Sequence, residues 1–182
     1  MKKILIGTHN HGKFKEIAYL VSKRYKKISP ASLKIDSPKE TGKTFTSNSK
    51  LKVTFFSKFV DYPIISDDSG LCINSLNNKP GIHSARFAKK HGGFLKAMEF
   101  ILKKLKKKKN RSATFVCSLS YKYPGRKAIS VVGKIKGKIS NKILGKKGFG
   151  YDPIFIPEKQ KITFGQMLKL NKIKMDHRFI AF

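Results

Sequence analysis

Four groups of residues in this chain have types and spacings suited to chemistry. The first is Gly7-Thr8-His9-Asn10-His11-Gly12-Lys13-Phe14, a polar turn after a short apolar run. It matches G-x-x-x-x-G-K but carries Phe14 where a P-loop has the Ser or Thr that holds magnesium. Glycine lets backbone approach an anion, the exposed N–H groups of a helix start favour phosphate, and Lys13 adds a point charge. The turn is thus a phosphate site or a plain tight turn with a solvated lysine. The second group is the adjacent pair Asp67 and Asp68, between Pro63-Ile64-Ile65-Ser66 and Ser69-Gly70. Neighbouring carboxylates repel unless a cation lies beside them, which suits magnesium or a general base; a β-turn with an Asx-type hydrogen bond is the plainer alternative. Glu40 stands before a helical stretch, as a further magnesium ligand or as an acid favoured by a helix dipole. The third group, Gly148-Phe149-Gly150-Tyr151-Asp152-Pro153, frames an aromatic ring between glycines, either as a stacking face for a base or as core aromatics in a turn. The fourth is Lys172, His177 and Arg178, donors suited to a base edge or members of a basic tail.

Elements that would position these groups can be read from periodicity. Lys3 to Gly7 reads as a buried strand, and Gly12 to about Arg24 as a helix with Phe14, Ile17, Leu20 and Val21 on one face. A second helix is expected from Thr44 to Val60. Two short strands, Pro63–Ser66 and Leu71–Ile73, are expected on either side of a polar corner at Asp67–Gly70. A third helix spans Gly93 to Lys106, and the lysine run after it is its solvated end. Ala113–Tyr121 and Ala128–Ile139 alternate as two long strands joined at Tyr123-Pro124-Gly125-Arg126. A glycine-rich loop, a short strand at Ile154–Ile156 and a weakly helical end complete an α/β domain with a mixed sheet.

The chain has 182 residues, enough for a single domain over 1–182 with one well-buried core. Its 41 Lys and Arg against 10 Asp and Glu give a formal charge of +31, which raises nucleic acid as a partner. Only Arg24, Arg86, Arg111, Arg126 and Arg178 are arginines. A lysine excess without arginine reads as biased usage rather than a base-reading surface, and no nucleic-acid-binding motif accompanies it, so no specific nucleic-acid partner is expected. No apolar stretch approaches the ~20 residues of a membrane span, and none is expected. Cys72 and Cys117 lie in apolar strand contexts without metal or redox spacing, as buried free thiols of a reducing compartment.

In order and spacing the motifs Thr8-x-Asn10-x-x-Lys13-x-x-Glu16, Glu40-Thr41-Gly42-x-Thr44-Phe45, Asp67-Asp68-Ser69-Gly70-Leu71, Pro80-Gly81-Ile82-x-Ser84-Ala85-Arg86, Gly148 to Phe155 and His177-Arg178 resemble the inosine/xanthosine triphosphate pyrophosphatase family. The resemblance implies an elongated mixed sheet flanked by helices, with a nucleotide cleft between two lobes. It implies a homodimeric, magnesium-dependent enzyme that converts dITP, ITP and XTP to the monophosphate and pyrophosphate; the cytoplasm is expected from the lack of a visible secretory or membrane segment and from the free thiols. By this likeness Thr8, Asn10 and Lys13 hold the phosphates, His9, His11 and Gly12 contribute backbone, and Lys52 adds a phosphate contact. Glu40 and Asp68 bind magnesium, Asp68 accepts a proton from water, Asp67 supports it and Ser69 touches substrate. Phe149 stacks on the base, while Gly150, Tyr151, Asp152, Lys172, His177 and Arg178 complete the base pocket. Ser47 stands where the family commonly has Glu, Asp176 where a serine usually precedes His-Arg, and relatives usually continue past Phe182 into a final helix. Two other readings stand beside this one: a pyrophosphatase for another nucleotide class, and a basic nucleic-acid-binding protein on the same fold.

Overall fold

The computed structural model describes residues 1–182. The first apolar run becomes β1 (Lys2–Ile6), followed by α1 (His11–Leu20). The helix stops earlier than periodicity suggests, because Val21 turns extended. The chain then forms β2 (Tyr25–Ile28), parallel to β1. This strand is hidden in the sequence by its lysines. α2 (Phe45–Phe56) starts at Thr44, whose hydroxyl accepts the Ser47 backbone N–H while the Ser47 side chain accepts the N–H of Thr44. Ser47 therefore has a structural task in a reciprocal cap.

The expected polar corner at Asp67–Gly70 is absent. β3 (Ile64–Ile73) runs unbroken through both aspartates, with eight of its ten residues buried. β4 (Lys79–Pro80) pairs antiparallel with it, and α3 (Ser84–Lys90), which sequence periodicity does not show, precedes α4 (Phe94–Leu105). β5 (Ser112–Lys122) and β6 (Ile129–Ile139) follow, joined by a turn in which Arg126 donates to the Tyr123 carbonyl over 3.0 Å. β7 (Phe155–Pro157) pairs antiparallel with β6, and two short helices, α5 (Lys169–Ile173) and α6 (His177–Ala181), close the chain. The sheet order is β2-β1-β3-β5-β6-β7, with β4 against β3, and the parallel and antiparallel pairings make it mixed, as expected. No helix is long and apolar enough to cross a membrane. Cys117 is buried and Cys72 only half-buried; both are free thiols.

The chain divides into two compact units. The first comprises residues 1–68, 117–133 and 178–182. Successive side chains of a strand point to opposite faces, so Ile4 and Ile6 join Ile17, Val21, Ile65 and Leu119, while Leu5 joins Val53, Phe56 and Ile64. This two-sided burial is why β1 reads as an unbroken apolar run. The second unit comprises residues 69–116 and 134–177, with a core of Leu71, Ile73, Phe115, Phe155 and Phe164 together with the inner stripe of α4, namely Ala97, Met98, Ile101 and Leu105.

Arg111, at the end of the lysine run, is part of the second unit's frame. Its guanidinium donates to the carbonyls of Leu105, Ile139 and Ser140, tying the end of α4 to the end of β6. A planar fork with several fixed donors can serve three acceptors, and an ammonium on a flexible stem cannot hold the same geometry. Arg111→Ala is expected to lower unfolding free energy by about 1.5–3 kcal/mol, with Arg111→Lys recovering little of it, as measured by urea titration.

Candidate active site

In the first unit the chemistry gathers around β3. Asp67 and Asp68 are neighbours in a buried strand and so face opposite sides, each with different company. Asp67, fully buried, lies 3.2 Å from the Lys13 ammonium and 3.4 Å from Nε of Arg178 through its Oδ2. Burial alone would raise its pKa, but the charges of Lys13, Arg178 and Lys52 outweigh that and hold the carboxyl well below the usual carboxylate range. Arg178 is 2% exposed, and its Nη1 donates to Oε2 of Glu16 over 2.7 Å.

Asp68 has the opposite balance. Burial pushes its carboxyl up, the charges of Lys13 and Lys52 oppose this, and the carboxylate of Glu40 adds to the rise. Its Oδ2 accepts a hydrogen bond from Nδ2 of Asn48 over 2.9 Å. Asn48, Lys52 and Phe56 recur at four-residue intervals on α2 and share one buried face, so the helix presents polar groups inward. Lys52 Nζ lies 3.0 Å from Oε1 of Glu40. Burial is the largest single influence on this lysine and lowers its pKa, yet Asp67, Glu40 and Asp68 together hold it above the ordinary value and keep it charged.

The turn before α1 is closely tied. Asn10 caps the helix by accepting the Lys13 N–H at 3.0 Å, and Thr8 Oγ1 accepts the Asn10 N–H at 3.2 Å. His11 and Gly12 form the first helical turn, whose leading N–H groups have no intrahelical acceptor. The His9 ring lies 3.0 Å from the Ile35 carbonyl and 2.6 Å from Oγ of Ser37, linking the turn to the segment that leads to Glu40. Gly7 serves packing rather than the approach of an anion, because a Cβ there would overlap the side chains of Ser66 and Phe56.

The base-reading candidates lie chiefly in the second unit. Lys172, 3% exposed, donates to Oδ2 of Asp152 at 2.6 Å, and its ammonium lies 4.6 Å from the centre of the Phe149 ring. The same Asp152 oxygen accepts the Phe149 N–H at 2.8 Å. Gly148 sits at φ +74°, and a Cβ there would run into Asp152, so this glycine is required twice over. The Tyr151 hydroxyl donates to the Ser84 carbonyl at 2.9 Å, and burial pushes its pKa up. Gly150 follows at φ +65°, close to Phe94. His177 stacks on Phe115 at 4.8 Å, while Ser69 is half-buried. Arg178 belongs to the first unit and Lys172 to the second.

The structure thus gathers Lys13, Glu40, Lys52, Asp67, Asp68 and Arg178 in one charge cluster, and Phe149, Asp152 and Lys172 in another group. Sequence reading assigned no role to Glu16 or Asn48. Glu16 stood within a motif, one helical turn after Lys13, but its partner lies 162 residues away in sequence. Asn48 stood out only as the asparagine beside which the family commonly has Glu, with no task attached to it.

Could this cluster hold a metal? No three His, Cys, Asp or Glu side chains are placed to bind one by themselves. Magnesium does not require such a cage; it takes one or two carboxylates and completes its shell with water and phosphate oxygens. Glu40 and Asp68 belong to the same charge cluster and are hard oxygen donors of the kind magnesium takes.

A mixed α/β sheet with a capped helix start, paired carboxylates and buried lysines defines a protein built to handle phosphate groups. The sequence matches the Ham1 family over residues 4–182, and the chain belongs to that family. It is 37% identical to the dITP/XTP pyrophosphatase of Caulobacter vibrioides over 99% of this chain and 94% of that protein. The Bacillus subtilis dITP/XTP pyrophosphatase is also 37% identical, over 98% and 92%. The Staphylococcus aureus Ham1 protein superimposes with a TM-score of 0.86 at 36% identity, over 99% of this chain and 94% of that one. The Coxiella burnetii HAM1 protein gives 0.88 at 30% identity, over 100% and 94%.

Asp67→Asn keeps the shape but leaves Lys13 and the buried Arg178 short of a counter-charge. It is expected to lower unfolding free energy by about 3–5 kcal/mol in denaturant titrations, far more than Asp36→Asn on the surface.

Proposed function

We propose that this chain hydrolyses deaminated purine nucleoside triphosphates, dITP, ITP and XTP, to the monophosphate and pyrophosphate. The observation that carries the proposal is Asp68: a buried carboxylate, hydrogen-bonded by Asn48, whose pKa is raised by burial and by Glu40 against the opposing charges of Lys13 and Lys52. A carboxyl so placed is suited to take a proton from water at neutral pH. The names of the relatives supply the substrate class.

In this mechanism Thr8, Asn10, Lys13 and Lys52, with the backbone of His9, His11 and Gly12, bind the triphosphate. A magnesium ion held by Glu40 and Asp68 would neutralise phosphate oxygens and offset the repulsion between the two carboxylates. Asp68 orients a water and takes its proton as the water oxygen bonds to the α-phosphorus. The bond from that phosphorus to the bridging oxygen breaks, and pyrophosphate leaves with its charge balanced by the lysines. Asp67 acts through Lys13 and Arg178, keeping both cations in place. Ser69 contacts substrate. Phe149 stacks on the base, and Lys172, fixed by Asp152, donates to the 6-oxo group, with Gly150, Tyr151 and His177 around it; Arg178 acts from its ion pairs. A homodimer in the cytoplasm is part of the same reading.

Pyrophosphate release measured across nucleoside triphosphates, with magnesium and with a chelator, tests this. Turnover of ITP, dITP and XTP should require the metal and exceed that of ATP by about 10⁴ in kcat/KM, because a donor meeting the adenine 6-amino group is left unpaired. Equal rates for ITP and ATP would reduce the function to general triphosphate cleavage. Asp68→Asn should lower kcat by about 10²–10⁴ in folded protein. A near-normal kcat would remove Asp68 from proton transfer.

A further inference from the structure

Asn48 is completely buried, and both ends of its amide are engaged. Its Oδ1 accepts the backbone N–H of Gly42 at 2.7 Å, and its Nδ2 donates to Oδ2 of Asp68 at 2.9 Å. The orientation of the amide is fixed chemically: a backbone N–H can only donate, so the oxygen must face Gly42 and the nitrogen must face Asp68. Gly42 lies two residues after Glu40 on the loop that delivers that carboxylate, and Asp68 sits in the middle of β3. α2 itself is anchored through the cap at Thr44, and the Asn48 backbone donates to the Thr44 carbonyl at 3.1 Å.

We infer that Asn48 is a positioning residue that sets the Asp68 carboxylate and the Glu40-bearing loop in one register, so that the two proposed metal ligands are presented together. The inference rests on the proposed pyrophosphatase reading. Lys52 also reaches Glu40 through its ammonium, but its four-carbon stem gives a charge rather than a fixed angle. A short, rigid amide buried on all sides gives direction. A displacement of about 1 Å at a reacting group can cost 10²-fold in rate, so the loss of this brace should appear in kcat.

Asn48→Asp tests the contact with nearly unchanged shape. It keeps an acceptor for Gly42 but replaces the donor to Asp68 with a second carboxylate. Expected are a fall in kcat of about 10- to 100-fold with KM for ITP within about threefold, and a metal-free Tm lower by about 4 °C or more. Combining it with Asp68→Asn reverses the direction of the hydrogen bond. The double variant should regain at least half of the lost Tm while remaining inactive, a recovery that a merely bulky core position would not show. Should Asn48→Asp fail to fold, Asn48→Ala, which adds no charge, should show the same loss in kcat. A folded variant with kcat within twofold of the parent, or a double variant no more stable than the single changes predict additively, would overturn the inference. Absence of ITP turnover in the unaltered protein would count against the assigned reaction, whereas the metal-free Tm comparison reads the Asn48–Asp68 contact without substrate.

Discussion

The ion pairing of Asp67 is the constraint on which the first unit turns. Three segments distant in sequence meet there: α1 through Lys13, β3 through the aspartate itself, and the final turn of the chain through Arg178. Arg178 also reaches back to Glu16, so the same guanidinium ties the chain's end to the helix that begins after the phosphate-type turn. A buried carboxylate without these cations would be neutral or would unfold the strand around it. With them, it is a fixed negative charge that holds Lys13 and Arg178 together.

The overall charge of the protein makes this placement more informative. In a chain of net charge +31, acids are scarce, and five of the ten, Glu16, Asp67, Asp68, Asp152 and Asp176, are buried. Carboxylates scattered to balance the surface would be mostly exposed. Here they are concentrated where cations must be held in a set direction: Asp67 holds Lys13 and Arg178, and Asp152 holds Lys172 over Phe149. The lysine excess dominates the composition, while the few acids organise the interior.

Strand geometry explains how two adjacent aspartates acquire opposite properties. Alternation along β3 sends Asp67 toward three cations, and its pKa falls. Asp68 faces the Asn48 side, where burial and Glu40 together outweigh the lysines, and its pKa rises. Two adjacent carboxyls are thereby shifted in opposite directions. A turn at this point, as the local sequence suggests, would have left both solvated and much alike.

Apolar pattern alone determined the type and approximate place of β1, α1, α2, α4, the β5–β6 pair and β7, because the helices and the long pair hide an apolar face at a period of 3.6 or two, while β1 and β7 show as short apolar runs. Motif spacing singled out Lys13, Glu40, Asp67, Asp68 and Phe149 as candidates, since phosphate and base chemistry restrict residue types, and Lys172 was a candidate by its type alone. Four features lay outside the reach of local pattern. β2 is a lysine-bearing strand made stable by its pairing with β1, and α3 is too short to show a period. β3 passes unbroken through Asp67 and Asp68 because the compensating charges come from residues 13, 52 and 178. The task of Asn48, between Gly42 and Asp68, exists only once α2 is laid beside both. Local sequence carries propensity and chemical type; the cost of burying a charge or an amide is offset by partners that only tertiary structure brings within 3 Å or so.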